Sequence, residues 1–380
     1  MDIGNGEKNL KQTLSYIRDF SYTPKELHAD FYLSNSISNL SRKRDRMKVD
    51  FGYLTKNAST SGKEMVEIAL TMISAERLTG KSRSFSEIKF PSLNPYYWRN
   101  HQNLFSAINL FLTRGITKIN FYEYPAKRKQ VPTNVSRLEK ADCIVLFSGG
   151  LDSLTTYYWA KQRFQNPIFV NICLNPRIDK YLKRIKKDNL LPDLKFYQLN
   201  LIRKLPTPPT DSITHLQQTR GFVFLTTAAM VAEIYDCDKI IVGETGPIMF
   251  QPRFSTTDIV TRTTHPVLLQ LSERLFSAVF QREFKIFASF QDNTKAELIS
   301  LLPENVKKNH MSHFDSCMMS HEEGMCGACY SCVVRRLSSI VADANDNEFQ
   351  NDITTINDSA KLLHLTALLE FCIKVVQGFK

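Results

Sequence analysis

The chain has 380 residues, 43% of them hydrophobic and 23% charged, with a formal net charge of +11. This length allows two domains, because a single core of that size would be unusual, and the composition is that of an ordinary globular protein. No apolar run is long enough for a membrane-spanning helix, and the polar first residues lack the apolar region of a secretory signal, so we expect a cytoplasmic protein.

The positive charge is concentrated in the first third of the chain. Residues 1–135 contain 21 Lys and Arg against 12 Asp and Glu, whereas the remaining residues contain 28 against 26. Such an excess suits binding to nucleic acid or to an acidic protein, and it equally suits a solvated surface that aids solubility. No recognisable nucleic-acid-binding motif distinguishes these alternatives.

The N-terminal third has mixed α/β character. Apolar residues at helical spacing predict a helix from Met65 to Leu78 and another from Asn103 to Thr113, and Lys118 to Tyr124 is predicted as a strand. The next residues, YPAKRKQVPTNVSR, contain two prolines and a basic run without apolar periodicity, which is typical of a linker. We therefore predict a basic α/β accessory domain at residues 1–135 and a second domain at residues 136–380.

Strands and helices alternate regularly in the second domain. The predicted strands are at 143–147, 167–174, 195–201, 239–243 and 284–290. The predicted helices are at 152–162, 212–235 and 265–279, with a basic helix after residue 174 and a last helix at 354–376. This alternation predicts a doubly wound parallel sheet that is covered by helices on both faces. In such a sheet, ligands bind at the carboxyl ends of the strands.

The segment VLFSGGLDS links the first of these strands to its helix. A helix start presents unpaired backbone N–H groups and a partial positive charge, glycines let the backbone approach an anion, and serine hydroxyls add donors. The segment is neither a Walker A loop, which requires a lysine in the turn, nor a G-x-G-x-x-G loop. It therefore predicts a phosphate-binding loop of another kind, and the alternative is a plain turn in which Asp152 caps the helix.

The same segment resembles the S-G-G-x-D-S loop of the PP-loop ATP pyrophosphatases, which split ATP between its α and β phosphates and adenylate a substrate. The resemblance implies ATP and Mg²⁺ as ligands, and it implies that Asp152 holds the Mg²⁺ through oxygen. The implied ATP-binding residues are Ser148, Gly149, Gly150, Leu151, Asp152 and Ser153.

A second motif, CMMSHEEGMCGACYSC, places four cysteines at a C-x8-C-x2-C-x2-C spacing: Cys317, Cys326, Cys329 and Cys332. Four thiolates at short loop spacing suit tetrahedral Zn²⁺, and four protein ligands close the shell of a structural site. The alternatives are an iron–sulfur cluster and reactive thiols of a sulfur-transfer enzyme. The other cysteines are scattered in apolar surroundings, where we expect small buried hydrophobic side chains.

Together the two motifs resemble the QueC family, the 7-cyano-7-deazaguanine synthases of queuosine biosynthesis. The segment CGACYSCVVRR, which includes Arg335, and the TKAE step at Thr294 to Glu297 carry the resemblance, which covers about residues 140–340. The resemblance implies adenylation of the carboxylate of 7-carboxy-7-deazaguanine. In the family, ammonia then displaces AMP to give an amide, and a second ATP dehydrates the amide to the nitrile.

Further residues complete the predicted site. The predicted catalytic residues are Asp152, Arg220 and Lys295. Arg220 precedes an apolar helix, where its guanidinium suits binding to a phosphate or a carboxylate. The alternative for Arg220 and Lys295 is an ordinary solvated position on the surface. The predicted substrate-binding residues follow a strand and are Gly243, Glu244 and Thr245. Thr264 or His265 is predicted to cap the helix that begins at Pro266, and His265 is predicted to be a structural residue rather than a base.

The sequence departs from the family on the substrate side. The glutamine-arginine-histidine segment after the second strand is replaced by NPRIDKYLKRIKKDN, the loop after VGE lacks the usual Tyr-Pro-Asp-Cys-Arg segment, and about 140 residues precede the loop. This pattern resembles the QueC-like proteins of bacterial antiphage gene clusters, QatC and its type IV CBASS relative. That resemblance implies transfer of the deazaguanine acyl group to an amine of a partner protein. A homodimer is a further expected assembly.

Two other classes of function are compatible with the motifs. A tRNA-thiolating PP-loop enzyme would use the basic third for RNA and a cysteine for sulfur, although the zinc-like spacing argues against free thiols. A nucleotide-sensing module would bind ATP without turnover. Release of pyrophosphate distinguishes an enzyme from the sensor, and dependence of AMP release on RNA distinguishes the thiolase.

Overall fold

The structure is a computed structural model of the chain. It describes residues 14–23, 26–34, 45–50, 57–79, 87–113, 118–123, 138–173, 182, 185, 190–191, 196–202, 218–246, 262–314, 316–317, 325–346 and 349–350. The predicted linker at 124–137, the last predicted helix at 354–376 and most of the predicted basic helix after residue 174 lie outside these residues. Within the described ranges, no helix has the length and apolarity needed to cross a membrane.

The described strands are β1 (Leu14–Thr23), β2 (Glu26–Ser34), β3 (Asp45–Asp50), β4 (Glu87–Ser92), β5 (Lys118–Glu123), β6 (Cys143–Leu146), β7 (Pro167–Cys173), β8 (Phe196–Ile202), β9 (Lys239–Thr245) and β10 (Lys285–Phe290). The described helices are α1 (Thr60–Thr79), α2 (Pro95–Arg99), α3 (Gln102–Thr113), α4 (Leu151–Arg163), α5 (Arg220–Ile234), α6 (Pro266–Phe280), α7 (Lys295–Ser300), α8 (Glu304–Asn309) and α9 (Tyr330–Val341).

Two compact units make up the chain. The first consists of Met1–Ile144, Tyr197–Ile241 and Thr261–Phe287, and the second of Val145–Phe196, Val242–Val260 and Ala288–Lys380. The division falls within strands β6, β8, β9 and β10. The domain boundary that the sequence predicts near residue 135 stays a prediction.

The first unit contains the strand order β8-β3-β2-β1-β4-β5. Strands β1 and β2 form an antiparallel pair with a register shift between Ile17 and Asp19, β2 pairs antiparallel with β3, and β4 pairs in parallel with β1 and β5. Strand β3 pairs antiparallel with β8, in the register Val49 to Leu201. The N-terminal strands are therefore hydrogen-bonded to a strand of the predicted second domain.

Helices of the first unit bury the apolar stripes that the sequence predicts. Helix α1 buries Met65, Ile68, Met72 and Ile73, and it includes the predicted helix at 65–78. Helix α3 matches the predicted helix at 103–113 to within one residue. Because apolar side chains three and four residues apart share one helix face, their burial follows directly from the sequence period.

Strands β10, β9, β6 and β7 are neighbours in that order. The run Cys143–Val145 of β6 is fully buried, as expected for a strand that is covered on both faces. The chain continues to β7 on one side of β6 and reaches β9 on the other, so the strand order changes direction at β6. A change of this kind opens a crevice at the carboxyl ends of the strands.

The predicted doubly wound parallel α/β class is confirmed. Strands β5 to β10 begin and end within two residues of their predicted bounds. The predicted helix at 212–235 is described only from Arg220, because residues 203–217 lie outside the described residues.

Candidate functional site

The predicted phosphate-binding loop lies between β6 and α4. Gly149 has a φ of +82°, in the left-handed region that favours glycine, and a Cβ there would lie 3.1 Å from the Leu182 side chain. Gly150 is the N-cap of α4 and has extended backbone without a side chain to cap the helix. The first amides of α4 are therefore not satisfied by an N-cap side chain, as a binding site for an anion requires.

Hydrogen bonds between the two serines fix the shape of this loop. The Ser153 Oγ accepts from the Ser148 backbone N–H at 2.9 Å and lies 2.7 Å from the Ser148 Oγ. The Gly150 N–H in turn donates to the Ser148 Oγ at 3.3 Å. Ser148 is exposed and Ser153 is buried, so the loop presents one hydroxyl to solvent and uses the other to hold its backbone.

Asp152 and Lys295 form an ion pair beside the loop. The Lys295 Nζ lies 2.6 Å from the Asp152 Oδ1, and the side chains are 10% and 21% exposed, respectively. Lys295 is the first residue of α7, and the Thr155 Oγ1 of α4 donates to the Leu298 carbonyl of α7 at 3.4 Å. The two helices thus bring a carboxylate and an ammonium together next to the serine loop.

The TKAE segment, Thr294 to Glu297, forms a capping box at the N-terminus of helix α7. The Thr294 Oγ1 accepts from the Glu297 N–H, and the Glu297 carboxylate accepts from the Thr294 N–H at 2.6 Å. The hydrogen bonds that the Glu297 carboxylate accepts from the Thr294 N–H and from the Thr294 hydroxyl lower the pKa of Glu297. The capping box therefore fixes the position from which Lys295 reaches Asp152.

The predicted substrate-binding residues lie at the carboxyl end of β9. Gly243 and Glu244 are half-buried and Thr245 is buried. A Cβ on Gly243 would lie 1.9 Å from the Thr156 Oγ1, so glycine lets β9 pack against the loop helix α4. The Thr156 hydroxyl also donates to the Asp152 carbonyl at 2.7 Å. This strand end and the loop helix therefore form one packed edge.

Arg220 is exposed at the first position of α5, in the first unit. Its guanidinium lies 5.8 Å from the centroid of the Phe224 ring. Its predicted role with phosphate or carboxylate stays a prediction.

Glu76 of α1, which no sequence pattern marks, caps helix α5. The Glu76 carboxylate accepts from the Gln218 N–H at 2.7 Å, from the Thr219 N–H at 2.9 Å and from the Thr219 hydroxyl at 2.6 Å. It supplies both acceptors and negative charge at the helix N-terminus that presents Arg220. No sequence signal could have found this contact, because the carboxylate comes from a distant segment.

His265 is a cap, as predicted. Its Nδ1 accepts from the Val267 N–H at 3.2 Å, and Pro266 opens helix α6. Burial and the neighbouring Arg262 lower the pKa of His265, which keeps Nδ1 available as an acceptor.

The four cysteines of the second motif converge on one point. Their sulfur atoms all lie within 4.8 Å of one another. The Cys317 and Cys329 sulfurs are 4.0 Å apart and those of Cys326 and Cys332 are 3.9 Å apart. A tetrahedral ion with Zn–S bonds of about 2.3 Å requires sulfur separations of roughly 3.8 Å. The four thiols therefore have the donor chemistry and the spacing of a metal site.

Two of the cysteine sulfurs accept hydrogen bonds from backbone amides. The Cys326 N–H donates to the Cys317 sulfur at 3.4 Å, and the Cys329 N–H donates to the Cys326 sulfur at 3.3 Å. The Cys317 and Cys329 thiols, together with burial, raise the pKa of Cys332. Ionising such adjacent thiols requires a positive charge at their centre, which a metal ion supplies.

Arg335 ties this cysteine segment to its surroundings. The side chain is fully buried; its Nε donates to the Asp346 Oδ2 at 2.6 Å, and its Nη2 donates to the Asp346 Oδ1 at 2.9 Å and to the Met311 carbonyl at 2.6 Å. Its Nη1 donates to the Phe314 carbonyl. One guanidinium thus links helix α9, the segment before Cys317 and the residues after α9.

Comparison with known proteins assigns the family. The family profile described as "Queuosine biosynthesis protein QueC" matches residues 142–340, which is more than half of the chain. The chain belongs to the QueC family. The match contains the serine loop and the four cysteines, the two motifs in which the sequence resembles the QueC family.

Three relatives of this QueC-family chain bear the name 7-cyano-7-deazaguanine synthase. The proteins of Psychrobacter cryohalolentis and Psychrobacter arcticus are each 26% identical to it over 234 residues, which cover 54% of this chain and 88% of each relative. The protein of a further Psychrobacter strain is 26% identical over 228 residues, 51% of this chain and 84% of the relative.

One solved structure is also similar to this QueC-family chain. It is the U34-tRNA thiolase NcsA from Methanococcus maripaludis with its [4Fe-4S] cluster, at 12% identity and a TM-score of 0.22. The alignment covers 62% of this chain and 84% of the thiolase. A TM-score this low says nothing about the fold or the cofactor of this chain.

Proposed function

We propose that this protein uses ATP to adenylate the carboxylate of a 7-carboxy-7-deazaguanine-type substrate. The observation that carries the proposal is the arrangement at the carboxyl end of β6, where the ordered serine loop opens helix α4 beside the Asp152–Lys295 pair. Membership of the QueC family and the names of the Psychrobacter relatives supply the substrate class.

The loop residues are suited to bind the β and γ phosphates of ATP. Ser148 offers an exposed hydroxyl, and Gly149 and Gly150 leave room for the anion to approach the first amides of α4. Asp152 offers carboxylate oxygen, the ligand that Mg²⁺ prefers, and the ion neutralises phosphate charge when bound. Lys295 then lies where its ammonium can meet a phosphate oxygen.

The proposed reaction activates the carboxylate of the substrate for acyl transfer. A carboxylate oxygen of the substrate attacks the α-phosphorus of ATP, the bond from that phosphorus to the bridging oxygen breaks, and pyrophosphate leaves. The nitrogen of an amine then attacks the acyl carbon of the adenylate, the bond from that carbon to the AMP oxygen breaks, and the amide forms as AMP leaves and the nitrogen loses a proton. Donors held in place before the reaction stabilise the charge on the departing pyrophosphate without reorganisation.

The end of β9 is the proposed place for the deazaguanine. Glu244 offers a carboxylate that can accept from a guanine-like N–H edge, and Gly243 and Thr245 flank it. These residues end β9, the strand next to β6, at the point where the strand order reverses, which is where ligands bind in folds of this class.

The departures of the sequence from the family bear on which amine accepts the acyl group. Ammonia is the acceptor in the QueC reaction, and it leads to the nitrile after a second ATP dehydrates the amide. The altered substrate-side segments and the added N-terminal sequence favour a protein amine, as in the QatC-like antiphage group. The basic first third is then a docking surface for that partner.

The four cysteines are proposed to hold structural Zn²⁺. Sulfur separations near 4 Å suit a single ion. A [4Fe–4S] cluster binds each thiolate through a different iron, and a [2Fe–2S] cluster divides the four thiolates between two irons, so either cluster holds some of the sulfurs farther apart than this. A closed shell of four protein ligands leaves no open position for catalysis, so the ion would stabilise the fold.

Pyrophosphate release tests the proposal. The protein is incubated with ATP, Mg²⁺ and 7-carboxy-7-deazaguanine, with and without ammonia, and with the products of neighbouring genes, and each protein is then weighed by mass spectrometry. We expect release that depends on the carboxylate and is lost in Asp152→Asn. No release with this carboxylate would overturn the proposal; release that requires tRNA would favour a thiolase, and ATP binding alone a sensor.

The same incubation identifies the acceptor. A mass gain of one deazaguanine acyl group on a partner protein supports transfer to a protein amine. Formation of 7-cyano-7-deazaguanine from ammonia, with no mass gain on any neighbouring gene product, supports the synthase reaction instead.

A further inference from the structure

Asn171 is a buried polar residue in the middle of an otherwise apolar strand. It lies in β7, whose sequence is PIFVNIC, and it is 1% exposed. Its Nδ2 donates to the Phe147 carbonyl at 2.7 Å. The Phe147 N–H donates to the Val170 carbonyl of the same strand at 2.9 Å. Phe147 is thus held on both of its backbone polar groups at the point where the chain leaves β6.

The Phe147 carbonyl belongs to the peptide plane that begins the phosphate-binding loop. Because a peptide unit is planar, the Phe147 carbonyl and the Ser148 N–H turn together. Asn171 holds the carbonyl side of this plane, and the Ser153 Oγ accepts from its N–H at 2.9 Å. The plane is therefore fixed from both sides, and with it the direction in which the loop starts.

Packing alone does not explain why position 171 holds an asparagine. The Asn171 Oδ1 is buried and has no hydrogen-bond partner among the described residues. A buried polar atom without a partner destabilises the fold, and an apolar side chain of similar size would avoid that cost. Loss of the amide would instead leave the Phe147 carbonyl without this donor. The donor Nδ2 is thus the group that accounts for an asparagine here.

We propose that Asn171 is a positioning residue for ATP binding: its side-chain amide orients the Phe147–Ser148 peptide and thereby sets the loop that receives the phosphates. This inference rests on the proposed function, because it assumes that the loop binds ATP. Asn171 does not itself touch the nucleotide. It acts through the backbone of the loop.

Asn171→Asp tests the proposal with an isosteric change. A carboxylate cannot donate to the Phe147 carbonyl, whereas a protonated carboxyl can, and burial favours the protonated form of an introduced carboxyl. We expect the affinity for Mg-ATP, measured by calorimetry, to fall at least tenfold at pH 8 and to recover in part at pH 6, relative to the unmodified protein at each pH. A purely structural role would not give a pH-dependent affinity.

Asn109→Asp is the matched control. Asn109 is also a buried asparagine, 4% exposed in helix α3, and its Nδ2 donates to the Thr113 Oγ1 at 3.4 Å. We expect this variant to lose stability without a pH-dependent change in ATP affinity. Equal ATP affinity of Asn171→Asp and the unmodified protein at both pH values would overturn the inference.

A second pair of variants keeps the inference testable if Asn171→Asp does not fold. Asn171→Thr retains a hydroxyl donor, and Asn171→Val has the same shape without one; both residues suit a strand. The Thr variant should bind Mg-ATP more tightly than the Val variant, and equal affinities would overturn the inference. Because these measurements need no carboxylate substrate, a protein that binds ATP but releases no pyrophosphate would contradict the proposed function alone.

Discussion

The Lys295 ammonium lies 2.6 Å from the Asp152 carboxylate, and the pair joins the first residue of α7 to the first turn of α4. The Lys295 side chain is the more buried of the two. In the proposed site, Asp152 can exchange Lys295 for another cation, and Lys295 can exchange Asp152 for another anion. The carboxylate can take Mg²⁺, and the ammonium can take a phosphate oxygen.

Lys295→Met should therefore lower the rate of pyrophosphate release. Removal of one positioned donor to a developing charge costs roughly 10²–10³ in kcat in comparable sites. We expect a loss of that size, measured by a coupled pyrophosphate assay with saturating ATP. Lys308→Met is the control, because Lys308 forms an exposed pair with Asp343 and should leave the rate unchanged. Equal rates for the Lys295 variant and the unmodified protein would contradict the assigned role.

Removal of the proposed Zn²⁺ should unfold the cysteine segment. Cys329→Ser removes one of four converging ligands, and structural zinc contributes directly to folding free energy. We expect the purified protein to contain one zinc per chain by elemental analysis, and the variant to lose both the metal and the cooperative thermal transition. Cys143→Ser changes a buried cysteine outside the cluster and should keep the metal. Iron in place of zinc would contradict the assignment.

Breaking the Arg335–Asp346 pair should be strongly destabilising. Both side chains are buried, and loss of one partner leaves an uncompensated charge, which costs about 3–5 kcal/mol. Arg335→Met should lower the unfolding free energy by that amount in urea titrations. Arg335→Lys should rescue little, because an ammonium cannot reproduce the forked contact with Asp346 together with the bonds to two carbonyls. Arg336→Met changes the neighbouring arginine and is the control.

Strands and loops that depend on local sequence could be predicted. The buried run at Cys143–Val145 identifies β6 because a strand that is covered on both faces needs no alternation. Strand β1 was not predicted, and the register shift between Ile17 and Asp19 gives a physical reason. A bulge interrupts the two-residue period on which recognition of a strand depends.

Contacts between distant segments could not be predicted. The serine loop and the four cysteines are visible because their members lie close together in the sequence. The bonds from Asn171 to Phe147 and from Thr219 to Glu76 depend on which residues face one another once strands and helices have packed. That register is a property of the whole fold, so no local pattern marks either residue.

Glu76→Ala should destabilise helix α5. The variant loses three hydrogen bonds to residues 218 and 219 and the negative charge at the helix N-terminus. We expect the unfolding free energy to fall by about 1–3 kcal/mol, from urea titrations. Glu123→Ala, at an exposed position at the end of β5, is the control and should change stability little. A loss no larger than that of the control would show that water satisfies the helix end equally well.

Glu233 should make stability depend on pH. Burial raises the pKa of Glu233, against hydrogen bonds from Ser59 and the charges of Arg282 and Lys63, which lower it. A raised pKa in the folded state means that folding favours the protonated carboxyl. The contribution of Glu233 is therefore fully present below the ordinary glutamate pKa of about 4.3 and is lost as the pH rises through the raised value.

Glu233→Gln isolates this contribution, because its side chain stays neutral at every pH. We expect the unfolding free energy of the unmodified protein, minus that of the variant, to decrease as the pH rises from 4 to 8, while the contributions of all other groups cancel in the difference. Glu297, whose pKa is lowered, contributes with the opposite sign and cancels in the same way. A difference that stays constant or increases over this range would show that the Ser59 hydrogen bonds outweigh the burial of the carboxylate.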